Sequence, residues 1–189
     1  MTTLVKKSDN ELIHLFTNGH ETALDSLLER YKDKLFSTIM YIVKDKYHAE
    51  DISQDVFIKI IETLKSGKYK EEGKFLPWAM RIAHNLCVDY FRKLKRFPFA
   101  KNHTNHEVLD TINCTEQNAE DKIIKVQSLG KAKDLLEQLP EEQREVIILR
   151  HFANLSFKEI AEITGCSINT ALGRMRYGLL NLRKLMLGK

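Results

Sequence analysis

Apolar residues recur along this chain at intervals of three and four, and only three prolines and eight glycines interrupt them in 189 residues. That period belongs to helices that bury one stripe. No alternating run of Val, Ile or Thr is long enough to build a sheet, so the pattern predicts an all-α chain. One polar stretch divides it. Phe97-Pro98-Phe99 stops a helix, because the residue before proline is driven out of the helical region. KNHTNHEVLDTINCTEQNAED then reads as a flexible linker. The expected layout is a helical domain at 1–97, a linker at 98–122 and a second helical domain at 123–189.

Charge is distributed unevenly along this frame. Residues 1–73 carry 11 basic and 13 acidic groups, 74–101 carry 7 and 1, and 166–189 carry 5 and none. Two basic patches on a nearly neutral chain suggest contact with a polyanion, although solvated helix faces produce the same pattern. No apolar run approaches the roughly 20 residues of a membrane span, and the amino terminus lacks a secretory pattern. Cys87, Cys114 and Cys166 are dispersed without a CxxC pair, which fits a reducing compartment. The expected location is therefore the cytoplasm, without membrane insertion.

Residues 155–180 have the marks of a helix-turn-helix. Ser156 and Glu159 have the spacing of a reciprocal capping box. Gly165 suits the positive φ of a helix end, and Ser167 is placed to cap a second helix. On that helix Ile168, Ala171, Met175, Leu179 and Leu182 are expected in the core. Thr170, Gly173, Arg174 and Tyr177 then face outward, with Asn169 and Arg176 on a flank. Arg, Asn and Thr have the chemistry to read base edges in a major groove. Gly173 and Gly178 each cost about 1 kcal/mol in a helix interior, which suggests close backbone approach, to DNA at Gly173 and to a neighbouring helix at Gly178.

In the first domain Ile52, Val56 and Ile60 form a buried stripe that leaves Asp51, Gln54 and Asp55 on the opposite face. This is a docking edge or an ordinary solvated face, and spacing alone does not choose. The helix at 75–96 has an expected core stripe of Ala79, Ile82, Ala83, Leu86 and Tyr90. Trp78, Arg81, Asn85, Asp89, Arg92 and Arg96 line another face. Aromatic and basic groups interleaved in this way suit melted DNA, where stacking is worth roughly 1–3 kcal/mol per base.

Three blocks in order carry a resemblance: AEDISQDVFIKI at 49–60, FLPWAMRIAHNLCVDYFRK at 75–93 and LPEEQREVIILRHFANLSFKEIAEITGCSINTALGRMRYGLLNLRKL at 139–185. Together they resemble the extracytoplasmic-function group of the sigma-70 family. The resemblance implies an alternative sigma factor that binds core RNA polymerase through its β′ coiled coil and β flap. Asp51, Gln54 and Asp55 would dock on the coiled coil, with Phe57 supporting that helix. Lys68, Trp78, Arg81, Asn85, Asp89 and Arg92 would capture the melted downstream (−10) element. Ser167, Asn169, Thr170, Gly173, Arg174, Arg176 and Tyr177 would read the upstream (−35) element in double-stranded DNA, with Arg150 and Lys158 on phosphates. An anti-sigma factor is a further partner of the kind the family admits. Many members have a Lys and a small polar residue where this chain has Leu172 and Gly173, so contacts there do not transfer.

Two other readings compete. An ordinary helix-turn-helix regulator would act as a homodimer on half-sites, but the first domain offers no heptad seam for dimerisation. A metal-dependent nuclease would rest on His103, His106 and Asp110, which lie in the linker without a supporting framework. The sequence therefore predicts no catalytic residue, metal, cofactor or small-molecule substrate.

Overall fold

The computed structural model describes residues 7–70, 73–96 and 134–187, and all regular secondary structure among them is helical. The chain divides into two compact units, Met1–His103 and Thr104–Lys189. The expected linker, 98–122, and the His103, His106 and Asp110 group lie outside the described residues. No helix among those described is long and apolar enough to cross a membrane.

The first unit contains α1 (Asp9–Thr17), α2 (Glu21–Val43), α3 (Lys46–Lys65) and α4 (Phe75–Arg96). Ser8 starts α1 with a capping box: its backbone N–H donates to the Glu11 carboxylate at 2.7 Å, and its hydroxyl accepts from the Glu11 N–H at 3.3 Å. These bonds from Ser8 hold the Glu11 carboxyl below its ordinary pKa. At the other end of α2, Lys44 takes a left-handed conformation (φ 64°). Asp45 then caps α3, accepting the His48 N–H at 2.9 Å. The chain thus reverses between two long helices within two residues.

α2 packs against each of the other three helices. It contributes Leu27, Leu35 and Ile39, while α3 contributes Ile52, Val56, Ile60 and Leu64, all buried. Each such side chain gains roughly 1.5–3 kcal/mol by leaving water. Asp9 pins α1 onto α2, accepting from the Arg30 guanidinium and from the Tyr31 hydroxyl at 2.6 Å each. Burial, this bond and the charge of Asp9 push the Tyr31 phenol up to about 12.

The α4 stripe differs from the sequence expectation. Its buried residues are Phe75, Ala79, Met80, Ala83 and Cys87, whereas Ile82, Leu86 and Tyr90 are only half-buried. The helix rests on both α2 and α3. Two neighbours bury a wider arc than one, and that arc is turned toward Met80 and Cys87.

The second unit begins, among the described residues, with a helical turn at 134–137. It is followed by α5 (Glu141–His151), α6 (Phe157–Thr164) and α7 (Ile168–Met186). Pro140 stands immediately before α5, where its missing N–H deprives no intrahelical carbonyl. Val146, Ile147, Ile148 and Leu149 are buried in succession. Four consecutive buried positions cover a full helical turn, so α5 is enclosed on all sides there. Leu136, Leu139 and Ile147 form one cluster, with Phe152, Met175, Leu182 and Leu185 packed against it.

α7 is also turned from the expected rotation. Ala171 and Gly178 are its buried residues, while Ile168 and Leu179 are each 46% exposed. Arg174, expected outward, is half-buried. The cause lies at Gly178: a Cβ there would stand 2.8 Å from Ile147 Cδ1 and 3.4 Å from Gln143 Cβ. The bare backbone lets α5 approach at Gly178, so the inward line runs through Ala171, Met175, Gly178, Leu182 and Leu185, and Ile168 and Leu179 are left at its edges. The expected close approach at Gly178 is thus present. Around Gly173 a Cβ would meet nothing within 4 Å.

The two glycines should behave oppositely. Gly178→Leu should lose roughly 1–3 kcal/mol through overpacking. Gly173→Ala should gain up to about 1 kcal/mol from helix propensity. Urea denaturation of the two variants and the parent chain measures both changes.

Candidate nucleic-acid and partner interfaces

Three surfaces carry the residues singled out in the sequence. On α3, Asp51, Gln54 and Asp55 are exposed together and Phe57 is half-buried. Two exposed apolar side chains passed over in the sequence reading extend the same line, Tyr47 at 77% and Ile58 at 52%. Their spacing from Asp51 and Asp55, four back and three on, is the signal that would have found them. The edge is therefore acidic at its centre and apolar at both ends.

Asp51 and Asp55 also line an open cleft of about 470 Å³ between α3 and α4, whose other wall includes Asp89, Arg92 and Arg96. Two residue sets that the sequence assigned to different partners thus share one cleft. Asp89 and Arg92 pair directly at 2.8 Å. Across the same cleft the His48 ring of α3 packs on Tyr90 of α4, with centroids 4.9 Å apart, and the His48 Nδ1 lies 2.8 Å from Asp45. Burial pushes the Asp45 carboxyl up, but hydrogen bonds from His48 outweigh it, leaving Asp45 below its ordinary range.

The second surface runs the length of α4. Arg81, Asn85, Asp89, Arg92 and Arg96 are exposed on one line, with Trp78 half-buried at its start. At 1.5 Å per residue, Trp78 and Arg92 stand about 21 Å apart along the axis. The line is a track rather than a pocket. Its aromatic end is built from Tyr69, Phe75 and Trp78: Trp78 lies 4.6 Å from the Tyr69 ring and 5.6 Å from that of Phe75. Phe75 is fully buried and touches Tyr31 of α2. The Trp78 indole is therefore supported from beneath by the core. Lys68 is exposed on the loop leading into α4, where Gly67 (φ 65°) makes the turn.

The third surface is the pair α6–α7. Ser156 and Glu159 form the full capping box, with the Ser156 N–H donating to the carboxylate at 2.7 Å. Gly165 ends α6 at φ 66°. Ser167 opens α7, its hydroxyl accepting the Thr170 N–H at 3.0 Å and lying 2.8 Å from the Thr170 hydroxyl. Asn169, Thr170, Arg176 and Tyr177 are exposed. Gly173 is half-exposed on the same side, and Lys158 is exposed on α6. Arg150 has a structural role not legible in the sequence. Its guanidinium donates to the Leu155 carbonyl at 2.7 Å and covers the Phe157 ring at 5.2 Å, fastening the turn between α5 and α6.

Two helical units, one with a basic track and one with a helix-turn-helix, define a modular DNA-binding protein of transcription. Residues 27–97 match the family model for sigma-70 region 2, and residues 129–175 match that for sigma-70 region 4. The chain belongs to the sigma-70 family, in its extracytoplasmic-function group. It is 28% identical to the ECF RNA polymerase sigma factor SigW of Bacillus subtilis, over 97% of each chain. It is 26% identical to the RNA polymerase sigma-H factor of Pseudomonas aeruginosa, over 91% of this chain and 90% of that protein. In fold it is similar to the sigma factor RpoE of Bartonella quintana, solved with the anti-sigma factor NepR. That similarity has a TM-score of 0.66 at 22% identity, over 84% of this chain and 93% of that one.

Arg150→Lys should lower the unfolding free energy by about 1 kcal/mol, since an ammonium cannot lie flat on the Phe157 ring while donating to the Leu155 carbonyl. Thermal unfolding of the two chains is the check.

Proposed function

We propose that the protein is an alternative sigma factor that joins core RNA polymerase and directs it to a restricted set of promoters. The observation that carries this reading is the presence of both sigma-70 regions, in order, in one chain. An ordinary dimeric regulator would need only the second of them. The reading assigns the protein no catalytic chemistry of its own.

Within this reading the α3 edge docks on the β′ coiled coil through Asp51, Gln54 and Asp55. Tyr47 and Ile58 add apolar contact at its two ends, where their burial adds affinity while the charges between them set register. Asp51 and Asp55 repel at i, i+4, and a basic partner relieves that repulsion. The second unit engages the β flap. Along α4, Trp78 on its aromatic support stacks an unpaired base of the downstream element. Arg81 and Asn85 lie next along the track with Lys68 on the preceding loop, and Arg92 follows, held by Asp89. Unstacking a base costs a few kcal/mol, which stacking and phosphate contacts offset.

α7 reads the upstream duplex with Asn169, Thr170, Arg176 and Tyr177, and the open side of Gly173 lets the backbone come close to the bases. Ser167 contributes through the cap it shares with Thr170, Arg174 from the rim of the helix, and Lys158 through phosphate. Arg150 supports the turn that presents this surface. An anti-sigma factor is a further partner, as it is for the solved Bartonella protein.

Run-off transcription on a genomic fragment library should give promoter-dependent transcripts with purified core polymerase plus this chain. The absence of any transcript above core alone would overturn the assignment. Asp51→Lys combined with Asp55→Lys should abolish co-purification with core polymerase while leaving the circular dichroism spectrum unchanged. Undiminished co-purification would remove the docking role from this edge.

A further inference from the structure

The rotation of α7 leaves two large apolar side chains in solvent where the helix begins. Ile168 is 46% and Leu172 44% exposed. They stand at i, i+4, one above the other within the first two turns. They adjoin the outward line of Asn169, Gly173 and Arg176. Two such side chains one turn apart gain burial energy only where a partner covers them.

The partner that other features of this helix favour is nucleic acid. From Cys166 to Lys189 there are five basic groups and no acid. The amino-terminal turn carries no acidic side chain. In a helix-turn-helix it is the amino-terminal residues of the second helix that meet base edges. The major groove offers one apolar feature to such a side chain, the C5-methyl group of thymine.

We propose that Ile168 and Leu172 read thymine in the upstream promoter element through its methyl group. The proposal rests on the sigma-factor reading above and adds the base class that the element must contain. Leu172 is the principal contact, because the open space around Gly173 admits the duplex beside it. Ile168, one turn earlier, closes the same methyl off from water. An apolar residue at this point selects differently from a lysine or arginine, which would donate to guanine.

The test uses holoenzyme assembled from core polymerase and the full chain. Duplexes with a randomised upstream element are selected for binding, and each thymine of the enriched element is then replaced by deoxyuridine, which lacks only the methyl. The expected result is a loss of about fourfold in affinity at the contacted thymine, the worth of one buried methyl. Leu172→Ala should bind the thymine duplex about as weakly and no longer distinguish it from the uracil duplex. A repeat selection with Leu172→Lys should replace thymine by guanine at that position. Indifference of the parent holoenzyme to uracil at every position would overturn the proposal. So would a Leu172→Ala chain that keeps full discrimination, or one that loses core polymerase instead of DNA, which would place a protein on this flank. Failure to enrich any duplex would remove the sigma-factor reading itself, an outcome distinct from enrichment without methyl dependence.

Discussion

The contact between the bare backbone of Gly178 and the Ile147 side chain sets the rotation of α7. A helix with large apolar residues at 168, 175, 179 and 182 would ordinarily bury all four. Here α5 is enclosed through Val146 to Leu149 and comes closest where α7 has no side chain. Close approach of backbones gains dispersion contacts over a long stretch. It also leaves Ile168 and Leu179 on the flanks, while Met175 and Leu182 stay against the core. Every property of the outward face follows from that choice, including the half-burial of Arg174 and the exposure of Ile168.

In the first unit α2 has the corresponding place, since the other three helices lie against it. Asp9, Arg30 and Tyr31 tie α1 to it, and Tyr31 in turn touches Phe75 at the start of α4. The same aromatic contact supports Trp78. A half-buried indole held in one orientation by a packed core has already lost the rotamer freedom that binding would otherwise take from it. The electrostatic arrangement is equally local. Acidic groups on α3 and basic groups at the end of α4 meet across one cleft, so neither surface acts without the field of the other.

Much of this was legible from the residues. The Ser156–Glu159 capping box and the Ser167 cap are patterns within four residues, and they depend on nothing distant. Gly165 was identifiable because few residues other than glycine accept its φ. The α3 stripe was legible because Ile52, Val56 and Ile60, spaced by four, all lie within its buried arc. The stripes of α4 and α7 were misread by part of a turn. The buried arc of α4 lies toward Met80 and Cys87 and that of α7 is drawn toward Gly178, so neither follows the centre of its hydrophobic pattern. The structural role of Arg150 was not legible, because its bond to Leu155 depends on how the chain turns after α5, which no spacing rule encodes. Tyr47 and Ile58 were missed for the opposite reason: apolar residues near a buried stripe are ordinarily assigned to it.

By itself the sequence determined the helical class, the division into two helical units, the caps and turn of the helix-turn-helix and the placement of charge. These are consequences of local period, local hydrogen bonding and composition. The tertiary structure decided which arc of each helix is buried, which side chains share a cleft, and that two apolar residues stand exposed at the start of α7. Those depend on how closely two backbones can approach, a property of pairs of helices that neither helix carries alone.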